Sequence, residues 1–162
     1  MTLPDVRPGE DVLEFNPAER TDVGICFVGA IRTPWARGNC PKNIIQAREE
    51  GADVWIELDT AYLAGLKGIE VGQNIVLMYW MDQARRDLIT QTPKHLENSR
   101  GTFSLRSPNR PNPVSLATVT VTSLDITTGR IGIDAIDCFD RTPLVDIKPW
   151  LPSIDLPATG LA

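Results

Sequence analysis

Apolar residues in this chain come in short runs, without the long three-to-four spacing of amphipathic helices. DVGICFVGAI, 22 to 31, is almost wholly apolar and predicts a strand that ends at the turn RTPWARGNCP. VWIEL, 54 to 58, alternates as a half-buried strand does, and a short helix is expected over TAYLAGL after Asp59. Gly65, Gly68 and Gly72 break the chain before NIVLMYWM, 74 to 81, whose unbroken apolarity suits a strand buried on both faces. MDQARRDL either continues that strand or turns briefly helical.

VSLATVTVT, 114 to 122, is rich in β-branched residues and predicts another strand. A turn at Thr128-Gly129 leads to RIGIDA, with Ile131, Ile133 and Ala135 on one face and Arg130, Gly132 and Asp134 on the other. In CFDRTPLVDIKPWLP the residues Pro143, Pro149 and Pro152 restrict any strand to a short edge piece. Short, frequent strands separated by turn residues predict a mostly β fold: one small antiparallel β-barrel domain with one or two short helices. The expected organisation is an irregular Pro- and charge-rich arm over 1–21, the barrel domain over 22–153 and a tail over 154–162.

Composition narrows the chemistry. The chain has 162 residues, enough for one real core, and its 42% hydrophobic and 23% charged residues are ordinary for a globular domain. No apolar run reaches membrane-span length and MTLPDVRPGEDV lacks a signal-peptide pattern, so no membrane association and a cytoplasmic location are expected. Cys26, Cys40 and Cys138 are an odd number with no C-x-x-C pair, which predicts reduced thiols and no disulfide framework. His95 is the single histidine, which argues against a zinc site and against hydrolases that need a His–Cys or His–Ser pair. No G-x-G occurs, so a dinucleotide-type glycine loop is not available.

The net charge of -5 opposes avid nucleic-acid binding. The charge is uneven, however: between 94 and 113, Lys94, His95, Arg100, Arg106 and Arg110 are balanced only by Glu97. That region contains RSPNRPNP, 106 to 113. Pro108, Pro111 and Pro113 predispose Ser107, Arg110 and Asn112 to extended backbone, so the loop is stiff before anything binds. Arg106 and Arg110 offer forked donors suited to carboxylate or phosphate. Asn109 and Asn112 can bond local backbone or a heteroaromatic edge. Two readings stand: a surface turn with solvated arginines, or a preorganised site for an anionic or zwitterionic ligand. The second cluster, DCFDRTPLVDIKPWLP, combines Asp137, Asp140 and Asp146 with Lys148 and Trp150. It reads equally as an acidic turn with a proline-braked strand or as carboxylates and carbonyls lining a pocket.

Together the clusters resemble the TsaA-like (YaeB/TrmO, VirR-like) family of S-adenosylmethionine-dependent tRNA methyltransferases. The matching pieces are G-x-F-x-x-R-S-x-x-R-P-N-P, Gly101 to Pro113, and D-x-T-P-L-V-D-I-K-P-W-L-P, Asp140 to Pro152. VGAIRTPW, 28 to 35, is similar to the family's opening motif, so the resemblance covers about 23 to 152. It implies a small antiparallel barrel that forms a homodimer, with S-adenosylmethionine near the subunit interface. It implies N6-methylation of threonylcarbamoyl-adenosine beside the tRNA anticodon.

By position the resemblance makes Arg106 a cofactor contact and Leu116 a packing wall, with the backbone of Asp134, Ala135, Ile136 and Asp137 along the cofactor. Pro41, Lys42 and Asn43 fall on an early contact, across a gap, and Asp82 and Gln83 fall on a His-Gln pair. Asp82 therefore replaces a histidine, Arg141 the glycine of a D-G-T-P turn, and Ser115 a glycine after R-P-N-P. A positive φ at Arg141 would be strained. The chain ends ten residues after Pro152, and the C-terminal domain of longer members is expected to lie outside it. An activated methyl needs no protein nucleophile or metal, but an N6 acceptor sheds a proton. Asp146 and Asp140 are the candidate bases, and both also read as structural carboxylates. Arg110, Asn112 and Lys148 are the candidate substrate contacts. Trp80 and Trp150 are candidate walls for a sulfonium. The competing function is a cofactor-binding regulatory module without activity, or a methyltransferase for another acceptor.

Overall fold

A computed structural model of the chain describes residues 5–20, 22–94 and 96–157. His95, the first four residues, Thr21 and the last five residues of the tail lie outside the described set. The strands are β1 Gly29–Arg32, β2 Val54–Leu58, β3 Asn74–Trp80, β4 Thr90–Gln91, β5 Arg100–Gly101, β6 Val114–Asp125, β7 Arg130–Ile133 and β8 Thr142–Pro149. The helices are α1 Ile44–Glu50 and α2 Pro152–Asp155, with 3-10 turns at Pro17–Glu19, Thr60–Leu66 and Thr102–Ser104. The chain divides into two compact units, Met1–Cys26 with Trp80–Ser115 and Phe27–Tyr79 with Leu116–Ala162.

Six strands close an antiparallel barrel in the order β1-β2-β7-β6-β3-β8. Closure follows from the alternation in the sequence. Ile31 pairs with Ile56, and Ile56 with Ile131, so one row of isoleucines crosses three strands. All three are 0% exposed, and each such side chain contributes about 1.5–3 kcal/mol by leaving water. Ala117, Val119 and Val121 supply the buried face of β6, and Ile75, Val76 and Leu77 are buried on both faces of β3. The strands pass close enough that Gly29 has no room for a side chain: a Cβ there meets the Glu57 carbonyl oxygen and comes within 2.9 Å of the Leu58 Cα.

Three elements differ from the sequence expectation. The first is the strand over 22–31, which is laddered only from Gly29. Beyond Leu58 the opposite strand turns into the Thr60–Leu66 helix, leaving 22–27 with no ladder partner among the described residues. Val23 is 79% exposed as a result. The second is β8, which is not an edge piece but pairs with both β1 and β3. Its prolines are tolerated because Pro143 pairs only on the β1 side and Pro149 only on the β3 side, each where the strand has one neighbour. The third is α1, which has no counterpart in the apolar pattern. Asn43 caps it by accepting from the Gln46 N–H at 3.0 Å, and Gln46 Oε1 accepts from the N–H of Lys42, one residue before the cap, at 3.0 Å, a variant of the capping box. Gly51 ends it in the left-handed conformation at φ 62.

The other unit carries little regular structure and is held by scattered backbone bonds and by side chains. Leu13 donates to the Asp87 carbonyl and Ile89 to that of Asp11, tying the N-terminal arm to residues 87–92. MDQARRDL is a turn, closed by the Ala84 N–H on the Met81 carbonyl.

Candidate functional site

The proline loop is fixed from inside its own unit. Gln91, 2% exposed, donates through Nε2 to Thr102 Oγ1 at 2.9 Å and to the Asn109 carbonyl at 2.6 Å. Thr102, fully buried, passes its hydroxyl proton to the Leu88 carbonyl at 3.1 Å. Arg86 lies over the Trp80 ring, 5.3 Å from its centroid, and donates to the Pro111 carbonyl at 2.7 Å and to Asn112 Oδ1 at 3.3 Å. Arg85 donates its backbone N–H to Asn109 Oδ1 at 3.1 Å. Arg110 reaches the carbonyls of Leu105 and Ser107 at 3.1 and 3.2 Å, so it braces the loop. Arg106 is exposed on that braced loop, and in the same unit Asp82 is exposed and Gln83 half-buried.

In the barrel unit the second cluster is equally fixed. Asp140 accepts from Arg32 Nε at 2.8 Å and from the Thr33 N–H at 3.1 Å, while Arg32 Nη1 forks onto Glu57 at 2.8 and 2.9 Å. Hydrogen bonds from Arg32 hold the Asp140 and Glu57 carboxyls below the usual carboxylate range, and those same bonds raise the guanidinium pKa. Arg141 takes φ 64, the single non-glycine residue with positive φ among those described. It is held there by its N–H on the Ile31 carbonyl at 2.8 Å, and the conformation costs about 1–2 kcal/mol.

These shifts have a sign. A carboxyl whose folded pKa is lowered adds stability above its unfolded pKa of about 4 and loses it as pH falls through the folded value. The urea midpoint is expected to be flat above about pH 5 and to fall below about pH 4. Arg32→Met should reduce that acid slope, leaving the part due to Glu10, Asp87 and Asp125, whose carboxyls are also lowered by their own hydrogen bonds, and an unchanged slope would remove Arg32 as a cause.

The remaining predicted residues fall as follows. Asp146 accepts from the Ile147 N–H at 2.9 Å and pairs with Lys148 at 2.8 Å. Ala135 and Ile136 bury their side chains, so only their peptide groups are left to meet a ligand, and the Ile136 carbonyl accepts from Trp35 Nε1 at 3.3 Å. Asp134 is engaged by Arg48, and Asp137 is half-buried. Leu116 is 46% exposed on β6; Pro41 is buried and Lys42 exposed beside the Asn43 cap. The barrel unit therefore brings 41–43 and 134–137 together around one helix, while the other unit carries Asp82, Gln83, Arg106, Arg110 and Asn112. Sequence reasoning missed Arg32, Arg48, Arg86 and Gln91, whose hydrogen-bond partners lie 11 or more residues away along the chain.

Burial raises the Cys138 thiol pKa, and burial with nearby Asp137 and Glu50 pushes Cys40 up to about 11, so neither is a ready nucleophile. No described group of three or more His, Cys, Asp or Glu is placed to hold a metal, and no described helix is long and apolar enough to cross a membrane.

A closed six-stranded antiparallel barrel carrying these two motifs defines a class of small β-barrel proteins distinct from Rossmann enzymes. Residues 30–156 match the family tRNA-methyltransferase O N-terminal domain, and the chain belongs to that family. It is 36% identical over 132 residues to "Probable S-adenosyl-L-methionine-binding protein VirR" of Rhizobium radiobacter, covering 81% of this chain and 73% of that one. It is 35% identical over 129 residues to an "S-adenosyl-L-methionine-binding protein" of Archaeoglobus fulgidus, covering 79% and 89%. The crystal structure of TrmO from Pseudomonas aeruginosa is similar with a TM-score of 0.65 at 26% identity, covering 85% of this chain. The present chain spans 60% of that structure's chain, and 34% of a second Archaeoglobus relative to which it is 39% identical.

Proposed function

We propose that this chain binds S-adenosylmethionine and methylates N6 of threonylcarbamoyl-adenosine next to the tRNA anticodon. The observation that carries the reading is family membership over residues 30–156 together with an exposed Arg106 on an internally braced loop. Each unit by itself carries groups that suit part of a zwitterionic sulfonium ligand. In one, Arg106 is a fork for a carboxylate and Asp82 a carboxylate for an ammonium group; in the barrel unit, Leu116 is an apolar wall and 134–137 a run of peptide groups. When bound, the cofactor supplies an already activated methyl group. The protein's task is to hold the acceptor nitrogen in line with it and to receive the N6 proton.

Asp146 is the better base of the two candidates. The Asp140 oxygens are held by Arg32 and Thr33, and its lowered pKa makes it a weak proton acceptor. Lys148, paired with Asp146, carries positive charge beside that carboxylate and is a contact for substrate phosphate. Arg110 and Asn112 act on substrate indirectly, by shaping the loop. The reading includes a cytoplasmic homodimer with the cofactor near the subunit interface.

Calorimetry tests the site: Arg106→Ala should weaken S-adenosylmethionine binding at least about tenfold, as loss of a charge-assisted pair does. Unchanged affinity would sink the placement. Nucleoside mass spectrometry of tRNA from a deletion strain tests the reaction, with a missing methyl on the modified adenosine expected. A second reading, a cofactor-binding module without this activity, is favoured by Asp82 in place of a histidine and by the binding-protein names of the relatives. An unaltered nucleoside profile would select it, or a different acceptor.

A further inference from the structure

The barrel unit contains a tie that joins the Asp134 carboxylate to Thr120 and to Arg48, a residue that no sequence motif singles out. β7 ends at Ile133, and the next residue leaves the ladder in an unusual way. Asp134 donates its N–H to the Thr120 carbonyl at 3.0 Å, but it is the Asp134 carboxylate, through Oδ1, that accepts from the Thr120 N–H at 2.7 Å. A side chain thus takes the acceptor role of a backbone carbonyl, which frees the chain to turn away into 135–137. The carboxylate's other oxygen accepts from Arg48 Nε at 2.7 Å, and the same guanidinium donates from Nη2 to the Thr118 carbonyl at 3.1 Å. Arg48 sits in the last turn of α1, whose start is locked to Lys42 and Asn43 by the capping box. Thr118 is two residues along β6 from Leu116.

We propose that Arg48 is a positioning residue for the cofactor site, fixing the 134–137 segment against β6 and α1 through the Asp134 carboxylate. This rests on the reading above that 41–43, Leu116 and 134–137 meet S-adenosylmethionine. The geometry favours a positioning role because both anchor points are directional. The fork needs Asp134 and Thr118 at fixed places, and a shift of Asp134 moves the peptide groups of 135–137, whose buried Ala135 and Ile136 side chains cannot reach a ligand in their stead. Arg48 is itself 44% exposed, so its pair with Asp134 adds little to global stability, and its effect should show in binding instead.

The test is calorimetry of S-adenosylmethionine with the wild-type chain, Arg48→Met, Asp134→Asn and the double variant, beside urea midpoints for each. Arg48→Met is expected to weaken binding about fivefold or more with the midpoint nearly unmoved. Because Arg48 acts through Asp134, the double variant should bind no worse than the weaker single variant. Additive losses, or wild-type affinity in a folded Arg48→Met protein, would overturn the proposal. Should Arg48→Met lack a cooperative transition, Arg48→Lys replaces it: one ammonium satisfies one anchor at a time, so an intermediate loss is expected and none would refute it. Should the wild-type chain itself fail to bind, the cofactor reading falls separately. Amide exchange of ligand-free Arg48→Met then decides, with faster exchange at 135–137 expected and unchanged exchange counting against Arg48.

Discussion

Gly29→Ala is expected to cost about 3 kcal/mol or more, a large share of the roughly 5–15 kcal/mol that holds a typical domain folded. The reason is not backbone conformation, since Gly29 has no positive φ. It is proximity. The added methyl meets the Glu57 carbonyl oxygen and lies 2.9 Å from the Leu58 Cα and 3.1 Å from the Glu57 carbonyl carbon, all backbone atoms. A flexible side chain could swing aside, but a ladder strand cannot. Gly29 pairs with Leu58 on one side and Leu144 on the other, so displacing β1 strains both of its seams in a barrel that has no free edge. Urea denaturation followed by circular dichroism measures it. A loss below about 1 kcal/mol would mean that β1 and β2 are less closely apposed than described. Gly38→Ala makes a useful contrast, because nothing lies within 4 Å of its Cβ position and only its φ of 104 is penalised.

How much of this is legible in the sequence depends on the range of the interaction. Ile56 and Ile131 belong to local alternations and Ile31 to an apolar run, and such local patterns carry the barrel strands. Residues 22–27 mislead because apolarity reports what a strand would bury, not whether a partner is beside it. The prolines of β8 mislead as edge markers because proline removes one ladder bond, and a strand handed from β1 to β3 can place each such gap where it has a single neighbour. α1 escapes notice although Asn43, Gln46 and Gly51 punctuate it, because it is only seven residues long and shows little apolar periodicity. At the site, the stiffness of 106–113 is plain from its prolines. The two readings of Arg110 could not be separated from sequence, since its acceptors are carbonyls, which leave no residue-type signature. The same holds for Arg86 on Pro111 and for Gln91 on Asn109.

Gln91 gives the second large effect, and its two substitutions are expected to differ in an informative way. The main chain holds this region weakly: β4 and β5 are two residues each. The Gln91 amide does the holding, with Nε2 donating to both Thr102 Oγ1 and the Asn109 carbonyl. Thr102 has already committed its proton to the Leu88 carbonyl, so only a donor at position 91 satisfies both partners. Gln91→Ala should cost about 2 kcal/mol of local stability, leaving the buried Thr102 hydroxyl and the part-buried Asn109 carbonyl without that donor. Gln91→Glu keeps the shape but can set a carboxylate oxygen against two acceptors, so it should cost about 3 kcal/mol near neutral pH. The loss should shrink on acidification, because the introduced carboxyl, once protonated, regains one donor. Amide exchange over 102–110 reads the loop directly, and calorimetry with S-adenosylmethionine reads its consequence at Arg106. Equal effects of Ala and Glu, or no pH rescue of the Glu variant, would show that Gln91 fills space and does not act as the loop's donor. If the loop loosens and affinity holds, the proposed contact between Arg106 and the cofactor does not depend on this network.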